Sequence, residues 1–424
     1  MDRLKFKLYP RELVFSLFII MLPASLAIEK NFHWEFAAYT DEILCILCGF
    51  YIILLAFKRG IKGSDFALIV LLIICIVWGL IGNAVSRLIT DTIPILIDVI
   101  CLAKMFFPFI IYKQVAHYDK KKLIIKYLTP IAKLTIILGT FFGTISLFVN
   151  IGMSGEKRYG IPSFSFIFQN EARYGYIIAC CLLVIYIAEK KANKCKFYAF
   201  LSVISMIYTT KGVVYIIVAT YLVLSIMWKK SDKLTVGNVI VAFIGMVSVS
   251  LLQIETYLKD LDSPRMRLLR YGLKTANTYF PLGSGFATYG SDQAARHYSP
   301  IYKLYGFNNL YGLSMEDPRF LNDCYFGMVF GQFGYIGTII FIIMIVMVFL
   351  PINKITLGKN IKALSIAIFV GLIISSLGTA IIKSSIGVFT FAILGTICGY
   401  STQSTNNNTN TTTLQTSRVK VKWI

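Results

Sequence analysis

The sequence predicts an all-α polytopic membrane protein of about twelve transmembrane helices, with one large extracytoplasmic loop that carries short helices. Three observations lead there. Of 424 residues, 57% are hydrophobic and only 15% charged, and the mean hydropathy of +0.70 is far from that of a soluble domain. Runs of apolar residues long enough to cross a bilayer recur along the chain. The short connections between them alternate between basic and acidic.

Taken in order, the apolar runs place helices near 13–28, 41–57, 66–83, 94–112, 125–150, 173–189, 197–210, 212–228, 235–252, 324–350, 363–380 and 385–400. The first follows a charged segment, 1–12, without a small-residue cleavage site, so it reads as a start-anchor rather than a removable signal peptide. With both termini inside, the inner connections carry Arg11, Lys58, Arg59, Lys62, Lys120 to Lys122, Lys190, Lys191, Lys229, Lys230, Lys354 and Lys359. Most acids fall outside, among them Glu29, Asp41, Glu42, Asp91, Glu171 and Asp323. This asymmetry orients the chain.

The formal net charge of +21 is accounted for by those inner loops, which face anionic headgroups, so nucleic acid is not an expected partner. The nine cysteines lie mainly within spans, and Cys45 and Cys48 form a CxxC inside an apolar helix, as small buried residues rather than a redox or zinc pair. Residues 1–400 form one transmembrane domain in this reading. The tail 401–424 is low-complexity, then basic, and is expected to be disordered.

The segment 253–323 breaks the pattern. It is a long, predominantly polar stretch between spans, where most connections are a handful of residues. It shares the outer side with the loop 152–173 and the tight turn Thr209-Thr210-Lys211-Gly212. Together they supply Arg158, Arg173, Lys211, Arg265, Arg267, Arg270, Lys274 and Arg296, cations on the side where the charge rule disfavours them. An anionic ligand explains that exception, and guanidinium groups suit phosphate oxygens. If 261–279 is helical, Arg267, Arg270 and Lys274 share one face. Spacing alone leaves a diphosphate site and simple adhesion to lipid headgroups both open. In the turn PLGSGFATYG, Pro281 stops a helix, and Gly283, Gly285 and Gly290 allow tight turns or close backbone approach.

An arginine-bearing helix running into PLGSGFATY, then Asn322-Asp323 and FGQFGYIG at the head of a span, resembles the O-antigen polymerase and ligase superfamily, including capsular polysaccharide polymerases. Residues 158–174, RYGIPSFSFIFQNEARY, are similar to that family's earlier outer loop. The TTKG turn sits where the family shows a T-x-S-R-G-like turn, with Lys211 in place of arginine. The resemblance covers roughly 150–340 and rests on the order and shared sidedness of loose motifs.

The resemblance implies a glycosyltransferase of the bacterial cytoplasmic membrane that acts at its outer face, in surface polysaccharide, capsule or lipopolysaccharide biosynthesis. Donor and acceptor would be oligosaccharides on a polyprenyl (undecaprenyl) diphosphate, with membrane lipid and a chain-length regulator as further partners. Such a reaction needs a base for the acceptor hydroxyl and cations for the departing diphosphate. Ligases of the family carry histidine where this chain has Asp323, and an acid where it has Gln332, so the polymerase is the expected activity and the ligase the alternative. The expected base is Asp323, with Glu316 and His297 as alternatives. Asp323 also reads as a helix N-cap, and the two roles are compatible. The expected diphosphate ligands are Arg158, Arg173, Lys211, Arg265, Arg267 and Arg270. Asp260 and Asp262 form a D-x-D that also suits a solvated helix start. No metal or other cofactor is expected, since arginines fill that role.

Three charges fall within or between spans: Asp98, Lys104 and Lys383. Such charges mark polar cavities, although Lys104 can snorkel to the inner side. The rival from another class is a glycolipid flippase or other transporter, which repeated halves and helices broken at midplane would signal.

Overall fold

The computed structural model describes residues 10–419, apart from 35–36, 38, 59, 62, 169 and 231–262. It is mostly helical, in the order α1 (Pro10–Phe32), α2 (Thr40–Lys58), α3 (Ser64–Ser86), α4 (Thr92–Ala103), α5 (Phe106–Tyr118), α6 (Leu123–Ser146), a hairpin β1 (Ser154–Arg158) and β2 (Ile161–Phe164), then α7 (Glu171–Ala188), α8 (Ala192–Ile207) and α9 (Gly212–Lys230). There follow α10 (Pro264–Thr278), the short α11 (Asp292–Arg296) and α12 (Pro300–Leu304), α13 (Tyr325–Asn353), α14 (Lys359–Ser375) and α15 (Ser385–Val419).

Seven helices, α1, α2, α3, α6, α7, α13 and α15, are long and apolar enough to cross a membrane, and α4 with α5, bent by 41°, makes up to eight. Every expected span except 235–252 coincides with a helix or with that bent pair. The expected span 235–252 and the Asp260/Asp262 pair lie outside the described residues. At 16 and 17 residues, α8 and α14 are shorter than these helices, so among the described residues seven or eight segments meet this criterion.

The loop 152–173 holds a two-stranded antiparallel hairpin, because Tyr159 and Gly160 both take positive φ (54° and 78°), as a tight two-residue β-turn requires. The helix α15 runs from Ser385 to Val419, and its first twenty residues are apolar and buried.

α15 is the axis of the bundle. Its Gly395 and Gly399, four apart, press on α5, where an added Cβ would lie 2.4 Å from the Phe109 carbonyl and 2.3 Å from that of Lys113. Small residues at this spacing let two helix backbones touch, the contact that substitutes for hydrophobic driving force in lipid.

The segment that positions the site is 281–290. Gly334 breaks α13 with φ 62° and ψ −168°, which frees the carbonyls just before it. The loop fills them: Ser284 and Gly285 N–H donate to the Gly331 and Gln332 carbonyls, each at 2.9 Å, and the Trp78 indole of α3 donates to Phe333 at 3.1 Å. From the other side Asn83 of α3 donates to the Phe286 carbonyl (2.8 Å) and accepts from its N–H (2.7 Å). Asp98 of α4 accepts from Ala287 N–H at 2.8 Å and from Gln332 at 3.0 Å. The glycines are therefore backbone-approach residues, as the sequence allowed. Beyond them the loop folds on its own aromatic core of Tyr289, Tyr298, Tyr302 and Phe307, with Tyr302 stacked on Phe307 at 5.6 Å.

A controlled pair of substitutions tests this clamp. Gly160 and Gly285 both have positive φ, but a Cβ on Gly160 meets nothing within 4 Å, whereas on Gly285 it lies 2.4 Å from the Asn83 nitrogen. Both alanine variants incur about 1–2 kcal/mol of left-handed strain. Gly285→Ala adds about 1–3 kcal/mol of overpacking. Thermal unfolding of the detergent-solubilised protein should show a lower midpoint for Gly285→Ala than for Gly160→Ala; equal midpoints would contradict the clamp.

Candidate functional site

Three segments that are distant in sequence, the β hairpin, the turn before α9 and the loop that begins with α10, meet at one end of the bundle. The β hairpin docks on the turn before α9, through Phe164 N–H to the Tyr208 carbonyl at 2.9 Å and Ser163 Oγ to Thr210 Oγ1 at 2.5 Å. This sets Arg158 and Lys211 side by side. From the long loop, α10 lies on α13 at a glycine contact, since a Cβ on Gly272 would be 2.4 Å from the Gly327 carbonyl. The buried face of α10 is Leu268, Gly272, Thr275 and Ala276, and Arg265 begins that face.

Arg265 Nη2 donates to Asp323 Oδ2 at 3.2 Å. Burial pushes the Asp323 carboxyl above the usual carboxylate range, and the positive charges of Arg265 and Lys211 pull against that push. Lys211 is held below the usual lysine value by burial, with Arg158 and Arg265 acting in the same direction and Glu171, 3.4 Å away, opposing them. Arg158, Lys211, Arg265 and Asp323 thus form one electrostatic unit. A carboxylate with raised pKa is a better proton acceptor near neutrality than an ordinary one, provided that it still ionises.

The N-cap expectation for Asp323 is corrected. Cys324 occupies that position on α13, its Sγ accepting from Gly327 N–H at 3.3 Å, so the Asp323 carboxylate is left for Arg265. The segment is pinned on both sides. Asn322 donates to Asp292, Asp292 pairs with Lys383 at 2.8 Å, and Tyr325 N–H donates to the Ser376 carbonyl at 3.1 Å.

Asp323 opens onto a cavity of about 420 Å³ whose charged lining is Glu29, Asp41, Glu42, Asp292 and Asp323 with Lys104, Arg173 and Lys383, beside Asn170 and Asn322. Arg173, one of the expected phosphate ligands, stands in its wall. Lys104 does not snorkel inward. It is buried at the break between α4 and α5, with its ammonium bonded to Asp41 Oδ2 at 2.8 Å and to Glu42, two carboxylates at the start of α2. Lys383 is likewise buried, and its field holds Asp292 well below the usual carboxylate range.

The other sequence candidates lie elsewhere. Arg270 and Lys274 are on the exposed face of α10, Lys274 sitting over the Tyr305 and Tyr271 rings at 4.9 and 5.4 Å. Arg267 is half-buried and, like Arg270, does not line the cavity. His297 and Glu316 are exposed and also outside its lining. Asp317 bonds Arg319 at 2.6 Å. Among the described residues no group of three or more histidine, cysteine or acidic side chains is placed to hold a metal. Reasoning from sequence missed Asp41, Glu42 and Asp292 as partners of buried lysines. The signal was present in Lys104 and Lys383, since charges at membrane depth pair with something.

No protein-family model matches the chain, and no curated protein matches it.

Breaking a buried pair leaves an uncompensated charge. Lys104 and Asp41 expose only 5% and 4% of their side chains. Lys104→Met should therefore destabilise by about 3–5 kcal/mol, whereas Arg319→Ala, which breaks an exposed pair, should cost at most about 1 kcal/mol. Unfolding midpoints check this, and a Lys104→Met protein as stable as wild type would contradict the pairing.

Proposed function

We propose that this chain is a polymerase that joins polyprenyl-diphosphate-linked oligosaccharide repeat units into a surface polysaccharide at the outer face of the bacterial cytoplasmic membrane. In this reading α8, α9, α14 and the segment 235–252 also cross, giving twelve spans with both termini cytoplasmic. The observation that carries the proposal is the pairing of a half-buried carboxylate, Asp323, with Arg265, in the field of Lys211, which has Arg158 as its own cationic neighbour. It gives a proton acceptor beside cations at the mouth of a polar cavity. Asp323 takes the proton of the acceptor hydroxyl, and Lys211, Arg158 and Arg173 stabilise the negative charge that develops on the leaving diphosphate. Arg265 holds Asp323 in place and moderates its pKa. The resemblance of 158–174, the TTKG turn and 281–337 to O-antigen polymerases supports the same assignment, with the ligase as its near alternative.

A second reading, a lipid-linked glycan transporter, draws on the break in α13 and the bend between α4 and α5, since transporters bind substrates at broken helices. The carbonyls freed at Gly334 are already occupied by Ser284, Gly285 and Trp78. That leaves the break as a structural joint and favours the enzyme.

Deleting the gene from its host should leave single repeat units and remove the polymer ladder, whereas repeat units trapped on the cytoplasmic face would favour the transporter. In the restored strain Arg265→Ala should lower polymerisation roughly tenfold to a hundredfold, the effect of losing a charge-assisted contact of about 1.5–3 kcal/mol. Arg270→Ala on the exposed face should be mild. Because only ionised Asp323 accepts a proton and its pKa is raised, activity should fall on the acid side at a pH above the ordinary aspartate value of about 3.9. Arg265→Ala, which removes a cation that lowers this pKa, should move the limb further up. Equal ladders in the two alanine variants would remove Arg265 and Asp323 from the mechanism.

A further inference from the structure

A second polar cavity, of about 190 Å³, lies between the start of α1 and the ends of α2 and α5. The helix α2 spans the distance between the two: it begins at the Asp323 cavity with Asp41 and Glu42 and finishes at this one with Lys58. Its 19 residues rise roughly 27 Å at about 1.5 Å per residue. Tyr51, Leu54, Leu55 and Lys58 follow one another at i, i+3, i+4 and i+7 and so share a face of α2, with Arg11 of α1 and Gln114 of α5 opposite them.

No acid lines this cavity. Arg11 commits two donors to Glu12 Oε1, at 3.0 and 2.5 Å, out of the five that a guanidinium carries. Gln114 donates to Asp65 at 2.6 Å. Among the described residues the Lys58 ammonium and the Tyr51 hydroxyl make no hydrogen bond. Lys58 offsets the partial negative charge at the C-terminus of α2, but that role needs neither a cavity nor a second cation beside it. Donors from two helices around a space without a carboxylate suit an anion with several oxygens, and guanidinium and ammonium together suit a phosphate.

The apolar wall decides which phosphate. Leu54 belongs to an exposed stripe of α2 with Phe50, Ile53 and Phe57, on a helix long and apolar enough to cross a membrane. In a bilayer that stripe meets acyl chains, so the cavity sits where chain-facing surface gives way to positive charge. A soluble phosphate uses the cations alone, whereas a phospholipid uses both halves. Basic pockets between membrane helices take anionic headgroups in this way.

We propose that Arg11, Lys58 and Tyr51 hold the phosphate of an anionic phospholipid whose chains run along Leu54 and Phe57. The site goes beyond the polymerase reading and does not depend on it, since it requires only that the chain be embedded in a membrane. A lipid bound there ties the start of α1 to the end of α2 and stabilises the folded state by mass action.

The test is native mass spectrometry of the full-length protein from micelles containing dioleoyl phosphatidylglycerol or dioleoyl phosphatidylcholine, joined to thermal unfolding with each lipid and with inorganic phosphate. Phosphatidylglycerol should be retained and should raise the midpoint, and phosphatidylcholine should do neither. Lys58→Ala and Arg11→Gln should each weaken retention roughly tenfold, as loss of one charge-assisted contact predicts. Lys126→Ala, at an exposed lysine of α6 outside the lining, should leave it unchanged. Lys58 is itself exposed, so its variant guards against misfolding of Arg11→Gln. Equal retention of the two lipids, or retention as strong in Lys58→Ala as in wild type, would overturn the site. Inorganic phosphate that protects as well as phosphatidylglycerol at equal concentration would overturn the lipid as its occupant.

Discussion

The end of the bundle that carries the cavity depends on the break in α13 at Gly334 and on what satisfies it. Backbone carbonyls freed at membrane depth are tolerated only where protein or water supplies donors. Here the donors are the Ser284 and Gly285 amides and the Trp78 indole. That requirement holds residues 283–286 between α3 and α13, so the long loop is threaded into the bundle. With the loop fixed there, its aromatic core, α10 and the Asn322-Asp323 step have little freedom. The clamp converts a long connection into a rigid scaffold on which a proton acceptor can be held.

The same end gathers three ion pairs. Lys104 binds Asp41 and Glu42, Lys383 binds Asp292, and Arg265 binds Asp323, each pair joining elements far apart in the chain. Replacing such pairs by apolar residues is often neutral for stability, so their presence points to use rather than to simple strength. They divide this end into a cationic part, Arg158, Lys211 and Arg265, and a carboxylate-lined part around Asp41 and Glu42.

Much of the fold was legible because hydropathy and loop charge are strong signals. The described helices fall where the apolar runs placed them, and the three loops expected on one side come together, Ser163 bonding Thr210 and Lys211 lying in the field of Arg265. Sidedness predicts a shared end of the bundle but not contact, so it could not choose among the arginines. The register of α10 chose: Gly272 must face Gly327, which turns Arg265 inward and Arg270 outward. The Asn-Asp capping signal pointed one residue short, since Cys324 is an uncommon cap. Lys104 was misread because snorkelling is the usual fate of a lysine near a helix end, and its carboxylate partners on α2 lie about sixty residues away in sequence. The hairpin was hidden within a loop whose only marker was Tyr159-Gly160.

The central claim is that the outer cluster transfers a glycan between lipid carriers, and reconstitution tests it most directly. Purified protein in liposomes, supplied with a polyprenyl-diphosphate-linked repeat unit, should convert it into a ladder of oligomers with release of the lipid diphosphate. Asp323→Asn, inserted equally well, should give no ladder. Movement of the intact lipid-linked unit to the opposite leaflet without any ladder, or an undiminished ladder from Asp323→Asn, would contradict the account.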